Sequence, residues 1–298
     1  LKYKLSIMKK TIRLILGDQL NLKHSWFKEK NDDVIYFMAE MKQETNYVKH
    51  HIQKVVAFFL SMRNFSEELK NQGHQIVYYN LDDKENKQDL VENLKQLIEE
   101  HDAEVFEYML PDEFRLDKQL TDFCEELSIE TNAVDTEHFY TKRNDVAHFF
   151  EGKKEMTMEY FYRDMRKKHE IMMLDDKKPE GGKWNYDKSN RKKWTGDPEI
   201  PPHKNFKKSV SEIVDLLEKE EIETIGRIDE DDFSWPTSRK ECLAVLDYFC
   251  KKLLVYFGDY EDAMHTDEKF LFHSRLSFAM NSKMLSPKEI IDTTLDYY

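Results

Sequence analysis

The sequence predicts an α/β protein: a parallel-sheet, nucleotide-type domain followed by the start of an all-helical region. Short apolar runs of strand character alternate with helical periodicity through about 130 residues, and this alternation is typical of a parallel sheet with helices on both faces. From Val210 onward the pattern is helical. The first strand is not followed by a Gly-x-Gly-x-x-Gly turn, so a dinucleotide-dependent dehydrogenase has little support.

Composition narrows the class further. The chain has 298 residues, 40% of them hydrophobic, which is enough for a sizeable core. Three cysteines do not make a disulfide framework, and no apolar run approaches the roughly 20 residues of a membrane span. With no recognisable secretory signal, we expect a cytoplasmic monomer that does not bind membranes.

Charge is unevenly distributed along the chain. The net charge is −13, which argues against a general nucleic-acid binder. Between Tyr160 and Lys208, however, 14 Lys and Arg face 8 Asp and Glu, a local excess of +6 that leaves −19 for the remainder. This stretch is either a solvated linker or a basic face for a phosphate backbone.

The strands are predicted from short runs rich in β-branched and aromatic residues, and the helices from apolar residues at helical spacing. Gly73 provides a stop for the first long helix. The predicted strands are Thr11–Leu16, Val34–Met38, Gln75–Tyr79, Val105–Met109 and Ile129–Val134, and the predicted helices are Tyr47–Gln72, Asp89–Glu99 and Leu116–Leu127.

Polar residues follow several of these strands. Gly17 and Asp18 end the first strand, Glu44 and Tyr47 open the long helix after the second, and Glu113 follows the fourth. Open α/β sheets bind ligands at the carboxyl ends of their strands, although each residue taken singly suits a helix cap or the surface. The adjacent His50 and His51 would point about 100° apart on a helix and so are interpreted as structural.

The middle of the chain is interpreted as an inter-domain connection. Thr157–Lys168 is predicted as a helix whose aromatic face suits a core better than a stacking platform, and residues 179–182 break it. No apolar periodicity is found from there to Lys208. Beyond it, the capping box Ser238–Glu241 opens a helix. The expected buried face of that helix is Leu243, Leu246, Phe249, Cys250, Leu253 and Leu254.

Two further features lie in the helical part. Cys242 and Cys250 are two helical turns apart without a third or fourth ligand nearby, so they are interpreted as core thiols. The run His273–Ser277 places two hydroxyls and a guanidinium together, which suits a pyrophosphate, although the same run could simply open a surface helix. Ser286–Glu289 is a second capping box with Pro at the first helical position.

Three motifs together resemble the photolyase and cryptochrome family. Tyr260, followed after thirteen residues by Ser-Arg-Leu-Ser and then a Leu-Ser-Pro helix start, is similar to its flavin-phosphate segment. His273 stands where many members have Thr, and this His form is similar to the iron–sulfur branch of bacterial cryptochromes and (6-4) photolyases. Phe278 stands where many members have Pro. The other motifs are Gly17-Asp18-Gln19-Leu20 with Glu44-x-x-Tyr47-Val48-x-His50-His51, and Gly181-Gly182-Lys183-Trp184-Asn185-Tyr186-Asp187 with Asn190-Arg191.

The resemblance, which runs from Met8 to Tyr298, implies two cofactor sites in this chain. The FAD phosphates would be held by Tyr260, His273, Ser274, Arg275, Leu276 and Ser277. A 6,7-dimethyl-8-ribityllumazine antenna would lie among Gly17, Asp18, Glu44 and Tyr47, and Glu113 is added on its position alone. Lys183 and Arg191 would face the cavity for the DNA lesion. The branch's 4Fe-4S cluster would be ligated beyond Tyr298, so no metal ligand is expected within the chain.

The resemblance also implies an activity: light-driven electron transfer from reduced FAD to a (6-4) lesion flipped out of damaged DNA. A cryptochrome-like photoreceptor without repair is the alternative, and a nucleotide-binding α/β protein without photochemistry is a third. The expected segments are an antenna-binding domain at 8–140, a connection at 141–208 and the truncated start of a helical FAD-binding domain at 209–298. Met8 is the expected natural start, and a chain ending inside the helical domain is expected to be inactive alone but able to hold the antenna.

Overall fold

A five-stranded parallel sheet forms the centre of the protein in a computed structural model that describes residues 9–298. The strand order is β4-β2-β1-β5-β6, and every neighbouring pair is parallel. The strands are β1 (Thr11–Leu14), β2 (Val34–Ala39), β4 (Gln75–Tyr79), β5 (Val105–Met109) and β6 (Glu130–Val134), with a separate two-stranded parallel pair of β3 (His50–His51) and β7 (Thr224–Ile225). The predicted α/β class with a parallel sheet is confirmed.

Helices connect the strands and make up most of the rest of the chain. They are α1 (Lys42–Asn46), α2 (Ile52–Asn71), α3 (Leu90–Glu100), α4 (Phe114–Glu126), α5 (Asp145–Phe150), α6 (Met158–Lys168), α7 (Ser211–Lys219), α8 (Arg239–Lys252), α9 (Leu254–Tyr260), α10 (Ser277–Asn281) and α11 (Pro287–Tyr297). None of the helices among residues 9–298 is long and apolar enough to cross a membrane.

The central strands are buried because helices cover both faces of the sheet. Ile12 and Leu14 of β1, Phe37 of β2 and Phe106 of β5 are all nearly inaccessible to solvent. Such continuous apolar strands are typical of parallel sheets. The edge strand β6, in contrast, exposes Glu130 to water.

Contacts group the chain into two compact units. One contains the sheet and consists of residues 9–138, 203–246 and 276–290; the other consists of 139–202, 247–275 and 291–298. The segment 276–290 is therefore in the same unit as the sheet, although it lies far from it in sequence. The division into 8–140, 141–208 and 209–298 stays a prediction, and the expected start at Met8 lies outside the described residues.

The predicted helix Tyr47–Gln72 is wrong at its beginning. It starts at Ile52, Glu44 belongs to the separate helix α1, and His50 and His51 form β3. His51 caps α2, because its Nδ1 accepts a hydrogen bond from the Gln53 N–H at 3.2 Å. The partner strand β7 also shows that the chain after Val210 is not purely helical.

The two histidines therefore do not have the geometry of helical neighbours. Neighbouring residues on a strand point to opposite faces, so the angle expected from a helix does not apply to them. Among residues 9–298, no group of three or more His, Cys, Asp or Glu side chains is arranged to hold a metal ion.

Two predicted buried faces also differ from the structure. On α6, Tyr160 and Tyr162 are 60% and 51% exposed, so these aromatics do not form a core. On α8, Leu243 is 38% exposed, whereas Leu246 and Phe249 are buried as predicted. After the helix, Leu253 is buried as predicted and Leu254 is half-buried. The predictions differ because periodicity identifies the apolar stripe of a helix but does not show which of its residues other segments cover.

Both predicted capping boxes have the expected backbone bond. The Glu241 N–H donates to Ser238 Oγ at 3.3 Å, and the Glu289 N–H donates to Ser286 Oγ at 3.1 Å. Each bond satisfies one of the amide groups that the first turn of a helix leaves without an intrahelical partner.

Candidate functional site

A cavity opens at the carboxyl ends of β1 and β5. These are the neighbouring strands at which the strand order changes direction, because the chain first extends the sheet to β2 and β4 and then returns to add β5 and β6. Open α/β sheets bind ligands at such a switch point. The cavity volume is about 290 Å³, close to the lower end of small-molecule sites, which begins at about 300 Å³.

The cavity wall combines an apolar body with a few charged groups. Its acidic side chains are Asp18, Glu44, Asp112 and Glu113. The apolar part is formed by Leu14, Ile15, Leu16, Phe37, Met41, Val55, Phe58, Phe59, Met62, Leu90 and Leu116. A flat heteroaromatic ring suits such a wall, since the ring packs against apolar side chains and its polar edge meets oriented hydrogen-bonding groups.

All five residues that the sequence predicts for the antenna lie on this one cavity. Gly17 and Asp18 follow β1, Glu44 lies on α1, Tyr47 follows α1, and Glu113 precedes α4. The structure thus brings together residues up to 96 positions apart in the sequence. Their part in ligand binding stays a prediction.

Gly17 lies where a side chain would collide with the cavity wall. A Cβ at this position would be 2.9 Å from the Sδ atom of Met62. The absence of a side chain therefore lets α2 pack closely against the end of β1 beside the cavity.

Arg115 organises the rim, and it was not predicted from the sequence. Its guanidinium makes two hydrogen bonds to the Glu44 carboxylate at 2.7 and 3.1 Å and two to that of Glu113 at 3.1 Å each. Its Cζ lies 4.6 Å from the centre of the Tyr47 ring. One cation thus fixes three of the five predicted residues; its position two residues after Glu113 was the signal that could have found it.

The electrostatics of the rim act on the Tyr47 phenol. Desolvation raises the pKa of Tyr47, and the negative charges of Glu113 and Glu44 raise it further. The phenol therefore keeps its proton at neutral pH and can act as a hydrogen-bond donor.

A second cation, Lys283, pairs with the acidic residues Asp18 and Asp112. The Lys283 ammonium lies 3.0 Å from Asp18 Oδ2 and 2.7 Å from Asp112 Oδ2. Nearby His138 is buried, and desolvation, followed by the positive charge of Lys283, lowers its pKa to about 4. Neither Lys283 nor Asp112 was identified from the sequence, because nothing in the local pattern links them to Asp18.

A further carboxylate, which unlike those of the cavity wall is fully buried, belongs to the scaffold. Glu40, which follows β2, is fully buried and receives two hydrogen bonds from Arg63 at 2.6 and 2.9 Å. The Tyr78 hydroxyl and the Leu81 N–H also donate to it. Burial, and then the charge of Glu40, raise the pKa of Tyr78 well above its usual value. This network ties β2, α2 and β4 together.

In the predicted flavin segment, Arg275 stacks its guanidinium on Phe270, with its Cζ 4.5 Å from the ring centre. Its φ is +57°, in the left-handed region, and burial lowers the pKa of the guanidinium. The neighbouring His273 has a buried Nε2 without a hydrogen-bond partner among the described residues. A buried nitrogen without a partner can take a phosphate oxygen, so these residues fit the phosphate group that the resemblance implies.

The other predicted flavin residues differ in exposure. Tyr260 is buried, with its ring centre 5.0 Å from that of Phe272. Leu276 is buried, so its side chain can only support the segment, whereas Ser277 is exposed and begins α10. Their contact with FAD stays a prediction.

The predicted lesion-contact residues are at the surface. Lys183 is exposed, and Arg191 is 67% exposed and pairs with Asp262 at 2.9 Å. Trp184, within the same Gly-Gly-Lys-Trp run, has three cations of α6 near its ring. These are Arg163, Arg166 and Lys167, at 5.5, 5.3 and 5.5 Å from the ring centre.

The two cysteines of α8 are buried thiols. Cys242 and Cys250 are buried, as expected of core thiols. Desolvation raises the pKa of Cys242 to about 12, so its reactive thiolate form is scarce at neutral pH.

Comparison with known proteins gives consistent matches. Residues 13–233 match the family described as deoxyribodipyrimidine photo-lyase-related protein. A (6-4) photolyase of Agrobacterium fabrum is 31% identical over 281 residues, which cover 93% of this chain and 55% of that protein. The chain therefore spans about half the length of the curated relative it matches.

The fold is also similar to a solved structure. A bacterial class III photolyase from Agrobacterium tumefaciens superimposes with a TM-score of 0.52 at 15% sequence identity. The match covers 97% of this chain and 54% of that one. At this identity, the likeness shows that the two proteins share a fold.

Proposed function

The chain belongs to the family of deoxyribodipyrimidine photo-lyase-related proteins, and from this membership we propose that it is part of a flavoprotein that repairs (6-4) photoproducts in DNA with light. The observation that carries the proposal is the 31% identity to a (6-4) photolyase along 93% of this chain. The natural protein would be a DNA photolyase of the (6-4) type.

FAD is the proposed redox cofactor. When bound in its reduced form, it supplies the electron that starts repair of the lesion. His273, Ser274 and Arg275 would hold its phosphates, with Tyr260 and Ser277 on either side in sequence. The support in the structure is the buried Nε2 of His273 and a guanidinium fixed against Phe270.

A 6,7-dimethyl-8-ribityllumazine is the proposed ligand of the cavity at β1 and β5, where it would absorb light for the flavin. The cavity wall would pack against the ring, and the Glu44 carboxylate, held by Arg115, would accept hydrogen bonds from it. The Tyr47 hydroxyl, whose pKa is raised further above neutrality, would donate one. Asp18 and Glu113 would accept from the remaining polar groups.

Damaged DNA is the proposed substrate. The support is the local excess of Lys and Arg between residues 160 and 208, together with the exposed aromatic side chains of Tyr160 and Tyr162. Basic side chains neutralise phosphates and aromatic rings stack on unpaired bases. Lys183 and Arg191 would contribute to this surface, and Arg191 would exchange Asp262 for a phosphate.

The 4Fe-4S cluster of the resembling branch is proposed only for the natural protein. The described residues do not fit one, because they contain no group of three or more candidate ligands. No step of repair is assigned to it.

The test is lesion repair by the natural protein that contains this chain. A duplex with a single (6-4) photoproduct is incubated with reduced protein in blue light and in darkness, and the lesion is quantified by chromatography. We expect loss of the lesion only in light. Bound flavin and antenna without lesion loss would contradict repair and favour the photoreceptor; a protein that takes up no FAD would contradict both.

A further inference from the structure

Lys283 lies within the unit that contains the sheet, although it comes from a distant part of the chain. It lies just after α10, and the nearest cavity residue in sequence, Leu116, is 167 positions away. Its side chain is only 2% exposed. An ammonium group is costly to bury unless it is paired, so its partners define what it does.

Those partners are two residues of the cavity wall. The three N–H bonds of an ammonium group match three acceptors: the Asp18 carbonyl oxygen at 3.2 Å, Asp18 Oδ2 at 3.0 Å and Asp112 Oδ2 at 2.7 Å. Both aspartates line the cavity, whereas Lys283 does not. Lys283 therefore does not line the cavity itself, and it affects the cavity through these two carboxylates.

The surrounding backbone fixes the lysine in place. The Leu20 N–H donates to the Ser282 carbonyl oxygen at 2.9 Å, which joins the loop after β1 to the end of α10. Phe278 of α10 packs edge-on against Phe58 of the cavity wall, with ring centres 5.2 Å apart. Lys283 itself has a φ of +60°, a conformation that residues with a side chain rarely adopt.

Charge explains why a cation is needed at this position. Asp18 and Asp112 approach the same point, where two carboxylates without a cation repel each other and turn apart or take up a proton. With Lys283 between them the group carries one net negative charge, and both carboxylates stay aimed at the cavity. His138 adds no charge at pH 7, because desolvation and then the charge of Lys283 lower its pKa to about 4.

We propose that Lys283 is a positioning residue for the cavity ligand: its ammonium offsets the charge of Asp112 and thereby holds Asp18 in the orientation that binds the antenna. The antenna site is thus assembled from the α/β segment and from residues 276–290. This inference rests on the proposed function, because it takes the lumazine as the ligand.

The test compares the affinity of the 298-residue chain for 6,7-dimethyl-8-ribityllumazine among variants, measured by fluorescence titration. Lys283→Met keeps the length of the side chain and removes the charge. We expect its affinity to fall about tenfold or more, which is the size of the effect when a residue that orients the ligand of a metal site is lost. Lys219→Met is the matched control, since Lys219 pairs with Asp82 at 2.8 Å on the surface of the same unit, and its affinity should equal that of the wild type.

A double variant separates charge from packing. Lys283→Met with Asp112→Asn restores one net negative charge and leaves Asp18 intact, so most of the lost affinity should return. A lysine that merely fills space would give no such recovery. Thermal unfolding of each variant checks that it is folded at the temperature of the titration, and Asp112→Asn alone remains as a milder variant if Lys283→Met is not.

The outcomes are distinct. Wild-type affinity in Lys283→Met, or no recovery in the double variant, overturns the role of Lys283 and leaves the proposed antenna site standing. Failure of the wild-type chain itself to bind the lumazine overturns the antenna site and this inference with it. A loss in the single variant and recovery in the double one supports both.

Discussion

At the scale of single residues, the cavity is a set of carboxylates that are each held by a cation. Arg115 holds Glu44 and Glu113, and Lys283 holds Asp18 and Asp112. A carboxylate held in this way keeps its charge and its direction before a ligand arrives, and this preorganisation reduces the cost of binding.

Glu44 offers the most direct test of the cavity. Glu44→Ala should weaken lumazine binding by about tenfold to a hundredfold, since a hydrogen bond to a charged group contributes about 1.5–3 kcal/mol. Fluorescence titration measures the affinity. Glu92→Ala, which removes an exposed carboxylate on α3, is the control. Equal affinity in the two variants would count against the predicted role of Glu44.

Arg275 tests the flavin segment. In the natural protein, Arg275→Ala should reduce the fraction of purified protein that retains FAD, because the guanidinium proposed for the phosphates is lost. The ratio of flavin to protein absorbance gives the occupancy. Arg227→Ala, at an exposed position, is the control. Full occupancy in Arg275→Ala would remove the phosphate role of this residue.

The lowered pKa of the buried His138 imidazole should make the stability of the protein depend on pH. Its pKa is about 4 when folded and about 6.5 in the unfolded chain, so between these values the unfolded chain binds more protons. Its contribution to stability is complete above pH 6.5 and is lost as the pH falls towards 4. From pH 8 to pH 5 the loss amounts to about 2 kcal/mol.

Urea unfolding at these two pH values measures the effect. His138→Gln cannot titrate, so the decrease in its free energy of unfolding should be smaller than that of the wild type by about 2 kcal/mol. Equal decreases in the two proteins would show that the imidazole titrates normally in the folded state.

At the scale of elements, the small sheet of β3 and β7 depends on close contact between two distant segments. Gly226, directly after β7, has a φ of +86°, and a Cβ there would lie 1.9 Å from Nε2 of His51. Gly226→Ala should therefore destabilise the protein both through backbone strain and through displacement of the His51 ring that caps α2.

Gly182→Ala is the control for Gly226→Ala. Gly182 has a φ of +72°, and beyond its chain neighbours no atom lies within 4 Å of the place that a Cβ would take. Its substitution therefore carries the backbone strain alone, about 1–2 kcal/mol. Urea unfolding of Gly226→Ala should show a clearly larger loss in the free energy of unfolding. Equal losses would mean that the His51 ring moves aside without cost.

The same elements show what local sequence patterns can predict. Strand runs such as Val105–Met109 and Gln75–Tyr79 were predicted to the residue, because both are short runs rich in β-branched and aromatic residues. The start of α2 was not, since the pairing of His50 and His51 with residues 224–225 is a contact between segments more than 170 positions apart. Periodicity within a window carries no information about such a partner.

The residues of the candidate site were likewise predicted only in part from the sequence. Gly17, Asp18, Glu44, Tyr47 and Glu113 were found because they lie in motifs or next to strand ends, and the structure places all five on one cavity. Asp112 and Lys283 were missed, because what distinguishes them is the set of charged groups they meet after folding. Arg115 was missed although it lies close to Glu113 in sequence, and its pairing with Glu44 forms only on folding. Their own sequence neighbourhoods look like ordinary helix ends.

At the scale of the whole molecule, the sheet positions the cavity proposed for the antenna, and later parts of the chain carry the residues proposed for flavin and DNA. Cofactors would supply the photochemistry, and the protein would hold and orient them. The family membership is shown by the match of residues 13–233, and the repair activity is the proposal to be measured.

The most direct test is an action spectrum of repair by the natural protein. The rate of loss of a (6-4) photoproduct is measured against wavelength for the wild type and for Glu44→Ala, both loaded with FAD and offered the lumazine. We expect repair by both proteins, with an additional lumazine band only in the wild type. Absence of lesion loss at every wavelength would contradict the proposed repair activity.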